Sequence, residues 1–150
     1  MRRGSKAFGV KRTKYDALIS TLVREANCWK CQRCGGDFST LRQHLQASHV
    51  ASRAIGWLRH DPRNIAALCA KCHSQLEARP IEHAEWYKSV NPEAYEFVKE
   101  NQHKVKKKRV GEIDQMYNFY KAQKKKLDEL RFEGYTGTYV IAPWKEEYYE

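Results

Sequence analysis

Four cysteines of this chain fall in two close pairs, Cys31 with Cys34 and Cys69 with Cys72, each spaced C-x-x-C. Two such pairs supply the four thiolates of a closed tetrahedral zinc site. Cys28 is the odd fifth cysteine and could pair with Cys31 as an alternative C-x-x-C. Gly35 and Gly36 favour Cys31 with Cys34, because glycines there let backbone N–H groups turn toward the thiolates. Cys28 is then a packed or free thiol. Between and beside the pairs stand His49, Asn64 and His73, in the order H…N…H. A neutral imidazole near pH 7 suits the role of a base. An amide side chain can hold that imidazole, or its strand, in place. A second imidazole can bind a metal through one ring nitrogen. A zinc knot would hold a small fold together around such a second, reactive site.

The charge pattern says what the site meets. The chain carries 28 Lys and Arg against 18 Asp and Glu, a formal net charge of +10 with a pI of about 9.4. Residues 1–30 hold 8 basic against 2 acidic side chains, residues 31–80 hold 7 against 3, and residues 81–150 hold 13 of each. The whole surplus therefore lies in the part that carries the Cys and His cluster, where a generally basic surface would spread it evenly. A polyanion is the expected partner, with nucleic acid first. Hydrolysing a phosphodiester requires that water be deprotonated, that charge on a phosphorane-like state be stabilised, and that the 3′ oxygen be helped to leave. One divalent metal and one histidine can serve all three. His49, Asn64 and His73 supply the residue types. No apolar run approaches the ~20 residues of a membrane span. The N-terminal MRRGSKAFGVKRTK is basic but lacks the apolar stretch of a signal peptide. A cytoplasmic protein with reduced thiols is expected, a setting in which paired C-x-x-C motifs favour metal over disulfide.

The elements that must position these residues are partly readable. A chain of 150 residues predicts one domain with extensions, whose modest core would gain from a structural metal. Residues 1–12 read as a flexible basic arm, 13–103 as the domain with the zinc knuckles, and 104–150 as a linker, a basic helix and an acidic tail. A helix is predicted over 13–26, with Thr13 as N-cap and Leu18, Ile19, Leu22 and Val23 as its apolar stripe. Residues 28–50 hold the first knuckle and lead to His49. Residues 51–68 read as a connecting loop with a turn at Asp61-Pro62. A helix from about Cys69 carries Cys72, His73 and Glu77 and is ended by Pro80. Two more begin near Ile81 and near Pro92, the latter a favoured first-turn position. KVKKKR (104–109) reads as a linker. The clearest helix is 112–131, with Ile113, Met116, Tyr117, Tyr120, Leu127 and Leu130 near one face and Lys121, Lys124, Lys125 and Lys126 on a solvated one. The last segment, YTGTYVIAPWKEEYYE, reads as a short strand and an acidic tail. Trp57, Trp86 and Tyr87 are core candidates rather than base-stacking platforms.

With its H…N…H spacing, the segment NIAALCAKCH (64–73) and the flanking C-x-x-C pairs, the chain resembles the zinc-bearing HNH endonucleases. The resemblance implies an α+β fold: a small zinc-stabilised ββα-metal core with helical N- and C-terminal extensions. In it His49 and Asn64 lie on a β-hairpin and His73 on the following helix. It implies His49 as general base, Asn64 as the residue that orients it, and His73 as a ligand of catalytic Mg²⁺ or Mn²⁺, beside a structural Zn²⁺ on the four cysteines. His73 directly follows Cys72, which leaves a structural-ligand role open to it. Glu77 lies one helical turn past His73, where some members carry a ligating His, so it is either a second ligand or a plain surface carboxylate. The residue before the base is often an Asp or His that binds the metal, and here it is Ser48; His44 is a substitute ligand candidate. Arg53 and Arg63 flank the motif and are candidates for phosphate contacts, or surface charges.

Further motifs, VREANCWKCQRCG, LQASHVASR, DPRNIAALCAKCH and IEHAEWYK, are similar to those of the phage NinG (Rap) recombination endonucleases over about residues 13–100. Those sequences also tend to have a small residue at the place of Ser48. This similarity implies branched or recombination-intermediate DNA, such as a Holliday junction, cut in the bacterial host cell. It also implies a homodimer for paired incisions, with the 112–131 helix as its contact. Two alternatives stand beside it: a nicking or restriction-type HNH nuclease on duplex DNA, and a non-catalytic zinc DNA-binding module that assists a packaging or recombination partner. Ser48 is the feature that keeps the last one open.

Overall fold

Thr13 starts the first helix as its sequence predicts. Its hydroxyl accepts the Asp16 N–H while the Asp16 carboxylate accepts the Thr13 N–H, a reciprocal capping box. In the computed structural model, which describes residues 11–104 and 109–145, this helix α1 spans Lys14–Ala26. It buries Ile19, Leu22, Val23 and Ala26 against an antiparallel hairpin of β1 (Leu45–His49) and β2 (Ile65–Cys69). The register pairs Leu45 with Cys69, Ala47 with Ala67 and His49 with Ile65. Helix α2 (Ala70–Glu77) follows β2 directly, with Cys69 as N-cap. The order strand, strand, helix thus puts His49 at the end of β1, Asn64 just before β2 and His73 in the first turns of α2.

The strand β2 corrects the loop expected over 51–68. All five of its side chains are buried, so the run shows none of the alternation that marks a half-exposed strand. Only the upstream part is connecting chain, with short 3-10 turns over Trp57–His60 and Pro62–Asn64. Gln32, inside the first cysteine knuckle, lies along the outer edge of β2. Its N–H donates to the Ala67 carbonyl at 2.9 Å, and its Oε1 accepts the Ala67 N–H at 2.7 Å.

Two proline-initiated helices come next, α3 (Pro80–Val90) and α4 (Pro92–Asn101). Pro80 therefore opens α3 instead of only closing α2. A first-turn N–H has no intrahelical partner, so its absence there costs nothing. Helix α5 (Val110–Phe132) packs on α1 and places Met116, Tyr120 and Leu127 in the same core as Trp57 and Tyr87. Its apolar face is thus used within the chain, and Trp86 packs against that core half-buried. Lys121, Lys125 and Lys126 are exposed, while Lys124 ion-pairs with Glu25 and Asp128.

The strand expected near the C-terminus does not form among the described residues. The segment after α5 crosses back over α1 irregularly: Tyr139 N–H donates to the Ala26 carbonyl, and Ala142 N–H donates to Gln123 Oε1. Residues 1–10 of the expected arm, 105–108 of the linker and 146–150 of the acidic tail lie outside the described residues. The architecture is α+β, helix-rich around one two-stranded sheet. No described helix is long and apolar enough to cross a membrane.

Candidate active site

The cysteine pairs converge. After Cys31 the chain turns through Gly35, at φ +74°, a conformation open to glycine without strain. This turn lets Gly35 N–H reach the Cys31 carbonyl and Cys31 N–H reach the Gly36 carbonyl, both at 2.9 Å. The Sγ atoms of Cys31, Cys34, Cys69 and Cys72 all lie within 4.8 Å of one another, with Cys34 and Cys69 3.9 Å apart. Zn–S bonds of about 2.3 Å at tetrahedral angles hold sulfurs roughly 3.8 Å apart, so the donor set fits zinc. Burial opposes ionisation of Cys31, but the backbone N–H groups of Cys34, Cys69 and Arg33 outweigh it and bring the thiol down to about 7. Burial, with the neighbouring Cys69 and Cys31, pushes Cys72 up to about 12. Such a mixed, crowded thiol set is what a dication would deprotonate and hold. Cys28 stands outside the cluster. It adopts a left-handed conformation (φ +57°), and its sulfur accepts from Arg131 Nη2 at 3.4 Å.

His49 is held at the end of β1 by a backbone group. Its Nε2 lies 2.8 Å from the Arg59 carbonyl oxygen. A carbonyl only accepts, so the proton sits on Nε2 and Nδ1 is the basic nitrogen. Burial pushes the imidazole down from 6.5 to about 4; the carbonyl bond works the other way, and the Arg53 charge adds to the depression. At neutral pH the ring is therefore neutral. Arg59 is itself locked by a fork to Asp16, with Nε to Oδ1 at 2.8 Å and Nη2 to Oδ2. His60 Nε2 meets the same carboxylate at 2.9 Å. Burial of Asp16 works against its charge, but Arg59 and the Thr13 N–H hold its carboxyl well below the usual range.

Asn64 is fully buried and makes all three of its side-chain hydrogen bonds to the connection between the strands. Oδ1 accepts the Ala51 N–H at 2.7 Å; Nδ2 donates to the carbonyls of Ala51 at 3.1 Å and Leu58 at 3.0 Å. The next carbonyl after Leu58 is that of Arg59, which holds His49. The amide thus acts on the imidazole through the backbone that supports it.

A cleft of ≈ 820 Å³ opens beside these residues, lined by Asp16, Ser48, His49, Arg53, His73 and Glu77 together with Arg12, Arg24 and His83. His73 Nδ1 bonds Gln46 Oε1 at 2.6 Å. An amide oxygen accepts, so Nδ1 carries the proton and Nε2 is the nitrogen with a free lone pair. Glu77 follows one turn later on the same helix, and both side chains line the cleft. Two polar atoms on this cleft are buried without a hydrogen-bond partner: Ser48 Oγ and His83 Nε2. Burial lowers the His83 pKa; His73 adds to this and Glu77 opposes it. Among the described residues only the four thiols present ligand atoms all within 4.8 Å of one another, so His73, Glu77 and His83 share the cleft without forming a closed cage.

The structure brings His49, His73, Glu77 and Arg53 to one cleft, with Asn64 behind them. It does not bring Arg63 or His44 there. Arg63 forks onto buried Asp61 at 3.0 and 2.8 Å, donates to the Lys145 carbonyl and lies over the Phe97 ring. His44 is exposed on a 3-10 turn ahead of β1. Sequence reasoning passed over Asp16, Gln46 and His83. The T-x-x-D of the helix cap marks the first, and the spacing His73, Glu77, His83 marks the last.

The HNH endonuclease family model matches residues 31–79, a span that holds both cysteine pairs, His49, Asn64, His73 and Glu77. No curated protein and no solved structure matches the chain. The match over residues 31–79 and the four-cysteine cluster together fit a zinc-bearing HNH family, and they support a nuclease.

Proposed function

We propose that this chain is a metal-dependent HNH endonuclease that hydrolyses DNA phosphodiester bonds on a ββα-metal core. The observation that carries the reading is the convergence of a neutral, backbone-held His49 with His73 and Glu77 on one basic cleft. His49 Nδ1 takes the proton of the attacking water, while Nε2 stays anchored on the Arg59 carbonyl. Asn64 keeps that anchor in place. His73 Nε2 and the Glu77 carboxylate hold a divalent ion, Mg²⁺ or Mn²⁺, and the cysteine cluster holds a structural Zn²⁺. When bound, the divalent ion supplies Lewis-acid stabilisation of the phosphate charge and of the leaving 3′ oxygen. Arg53 contacts a phosphate at the rim, where a guanidinium matches two phosphate oxygens. The products are 5′-phosphate and 3′-hydroxyl ends.

Similarity to the NinG-type motifs supports branched DNA as the substrate and a bacterial host cytoplasm as the place. Paired incisions on a junction call for two copies of the chain. One observation favours a second reading: Ser48 stands where many HNH enzymes carry a metal ligand, as a zinc module that binds DNA without cutting it would allow. Cleavage of a labelled four-way junction and its matched linear duplex, with Mg²⁺, Mn²⁺ or EDTA, separates these. Metal-dependent cutting of the junction that His49→Ala loses is the expected result. Equal cutting of both DNAs retains the nuclease and discards the branched substrate. Binding without cutting in any metal overturns the nuclease in favour of the binding module.

A further inference from the structure

His83 lies beyond the residues that match the family model, on α3 instead of α2. It is 8% exposed, and its Nε2 is buried without a hydrogen-bond partner. A buried polar atom left unsatisfied is costly, so native structures rarely retain one without a reason. The ring leans on Trp86, at 6.1 Å between centroids and 32° between planes, which fixes its plane. It lines the same cleft as His73 and Glu77, and α2 and α3 pack on each other. The hydroxyl of Ser48 is the other unpartnered buried atom of that cleft. It is small and neutral, and so a poor substitute for an imidazole or a carboxylate.

We propose that His83 is the third protein ligand of the catalytic ion, completing with His73 and Glu77 a two-imidazole, one-carboxylate set that offsets the serine at position 48. The inference rests on the metal-dependent function proposed for the cleft. The three side chains line one cleft without closing into a cage, and a bound ion would pull them together, the orphaned Nε2 first of all. The donor set has a consequence for the metal. Mg²⁺ favours oxygen donors and keeps most of its waters, whereas imidazoles favour first-row transition ions. Mn²⁺ is therefore bound more tightly than Mg²⁺ at this site.

The test is a Mn²⁺ titration of the zinc-loaded chain of 150 residues without DNA, followed by the EPR signal of free Mn²⁺. Pulsed EPR then counts the imidazole nitrogens on the bound ion. Two imidazoles are expected on the wild-type protein. His83→Gln should show one, with Mn²⁺ affinity lower by on the order of tenfold or more, since even an outer-shell partner is worth ~10–100-fold. Zinc content and circular dichroism report whether the variant is folded; if it is not, the wild-type imidazole count decides alone. A single imidazole on wild type, or unchanged Mn²⁺ binding by folded His83→Gln, overturns the role of His83 and leaves the proposed nuclease standing. Absence of Mn²⁺ binding to wild type overturns both.

Discussion

Replacing Asn64 with alanine should destabilise the protein far more than an exposed polar deletion would. Two backbone groups lose their partner, the N–H and carbonyl of Ala51, while the Leu58 carbonyl keeps only its bond from the Asp61 N–H. Ala51 is 6% exposed and Leu58 fully buried, so water does not readily replace the amide. At about 1–3 kcal/mol per orphaned group, less for carbonyls, the total is about 2–4 kcal/mol. A domain of this size is stable by about 5–15 kcal/mol, so the variant should still fold in the cold. In urea, with excess zinc and tryptophan fluorescence as probe, the midpoint should fall by about 1.5 M for a slope of about 2 kcal/mol/M. Asn64→Asp tests the direction of the bonds. Its carboxylate keeps the acceptor for Ala51 N–H but turns both donors into charge facing two carbonyls. It should be no more stable than the alanine variant at pH 7 and should gain relative to it as acid protonates the carboxyl. Because the loop also carries the Arg59 carbonyl, cleavage by folded Asn64→Ala should fall by about 10²-fold, the usual consequence of displacing a reacting group by an ångström. A urea midpoint within 0.5 M of wild type (roughly 1 kcal/mol at that slope) would refute the reasoning, as would an Asp variant as stable as Asn.

Acid should weaken the fold through His49. Between pH 6.5 and about 4 the unfolded chain takes up a proton that the folded, buried ring refuses, so stability falls with pH, by about 3 kcal/mol at pH 4. Measured as the difference between wild type and His49→Gln, so that acid loss of zinc cancels, the slope should be confined to that window; parallel curves would contradict it. Cys28→Ser should keep one zinc per chain by metal analysis, whereas Cys34→Ser should lose it; the reverse would move the zinc site. Arg53→Ala should lower the slope of log affinity against log salt by about one on DNA. Arg63→Ala should leave that slope alone and instead lower stability, because its guanidinium is committed to Asp61; a change in slope would place DNA there.

What the sequence conveyed well were the features with local causes. Thr13 and Pro92 start helices by satisfying or removing N–H groups that have no partner, and each does so where expected. The thiol pairs converge at the spacing that a tetrahedral zinc site requires. Strand β2 was hidden by its own burial: IAALC has no polar face to set a period. The tail rich in Tyr, Val and Ile has strand composition but bonds to α1 and α5, one bond at a time, instead of to a strand. His49, Asn64 and His73 were recognisable by type and order. That Asn64 braces the loop, and that Asp16 locks the side chain of Arg59, depend on contacts across 13 and 43 positions of chain. His83 is marked by its spacing from His73 and Glu77, but spacing does not set it apart from a packed histidine. Its significance lies in an unpartnered nitrogen, which only packing reveals.

The pairing of Gln32 with Ala67 gives zinc loss a second consequence besides unfolding. A two-stranded ribbon has two open rims, and one of them, along the wholly apolar β2, is sealed by a residue of the knuckle itself. Loss of a zinc ion held there would free that segment and bare the Ala67 N–H and carbonyl on an apolar strand, a template for addition of another chain. Chelation should therefore produce self-association at concentrations where urea produces dispersed monomers, and zinc on the four cysteines would guard against aggregation as well as clasp the fold.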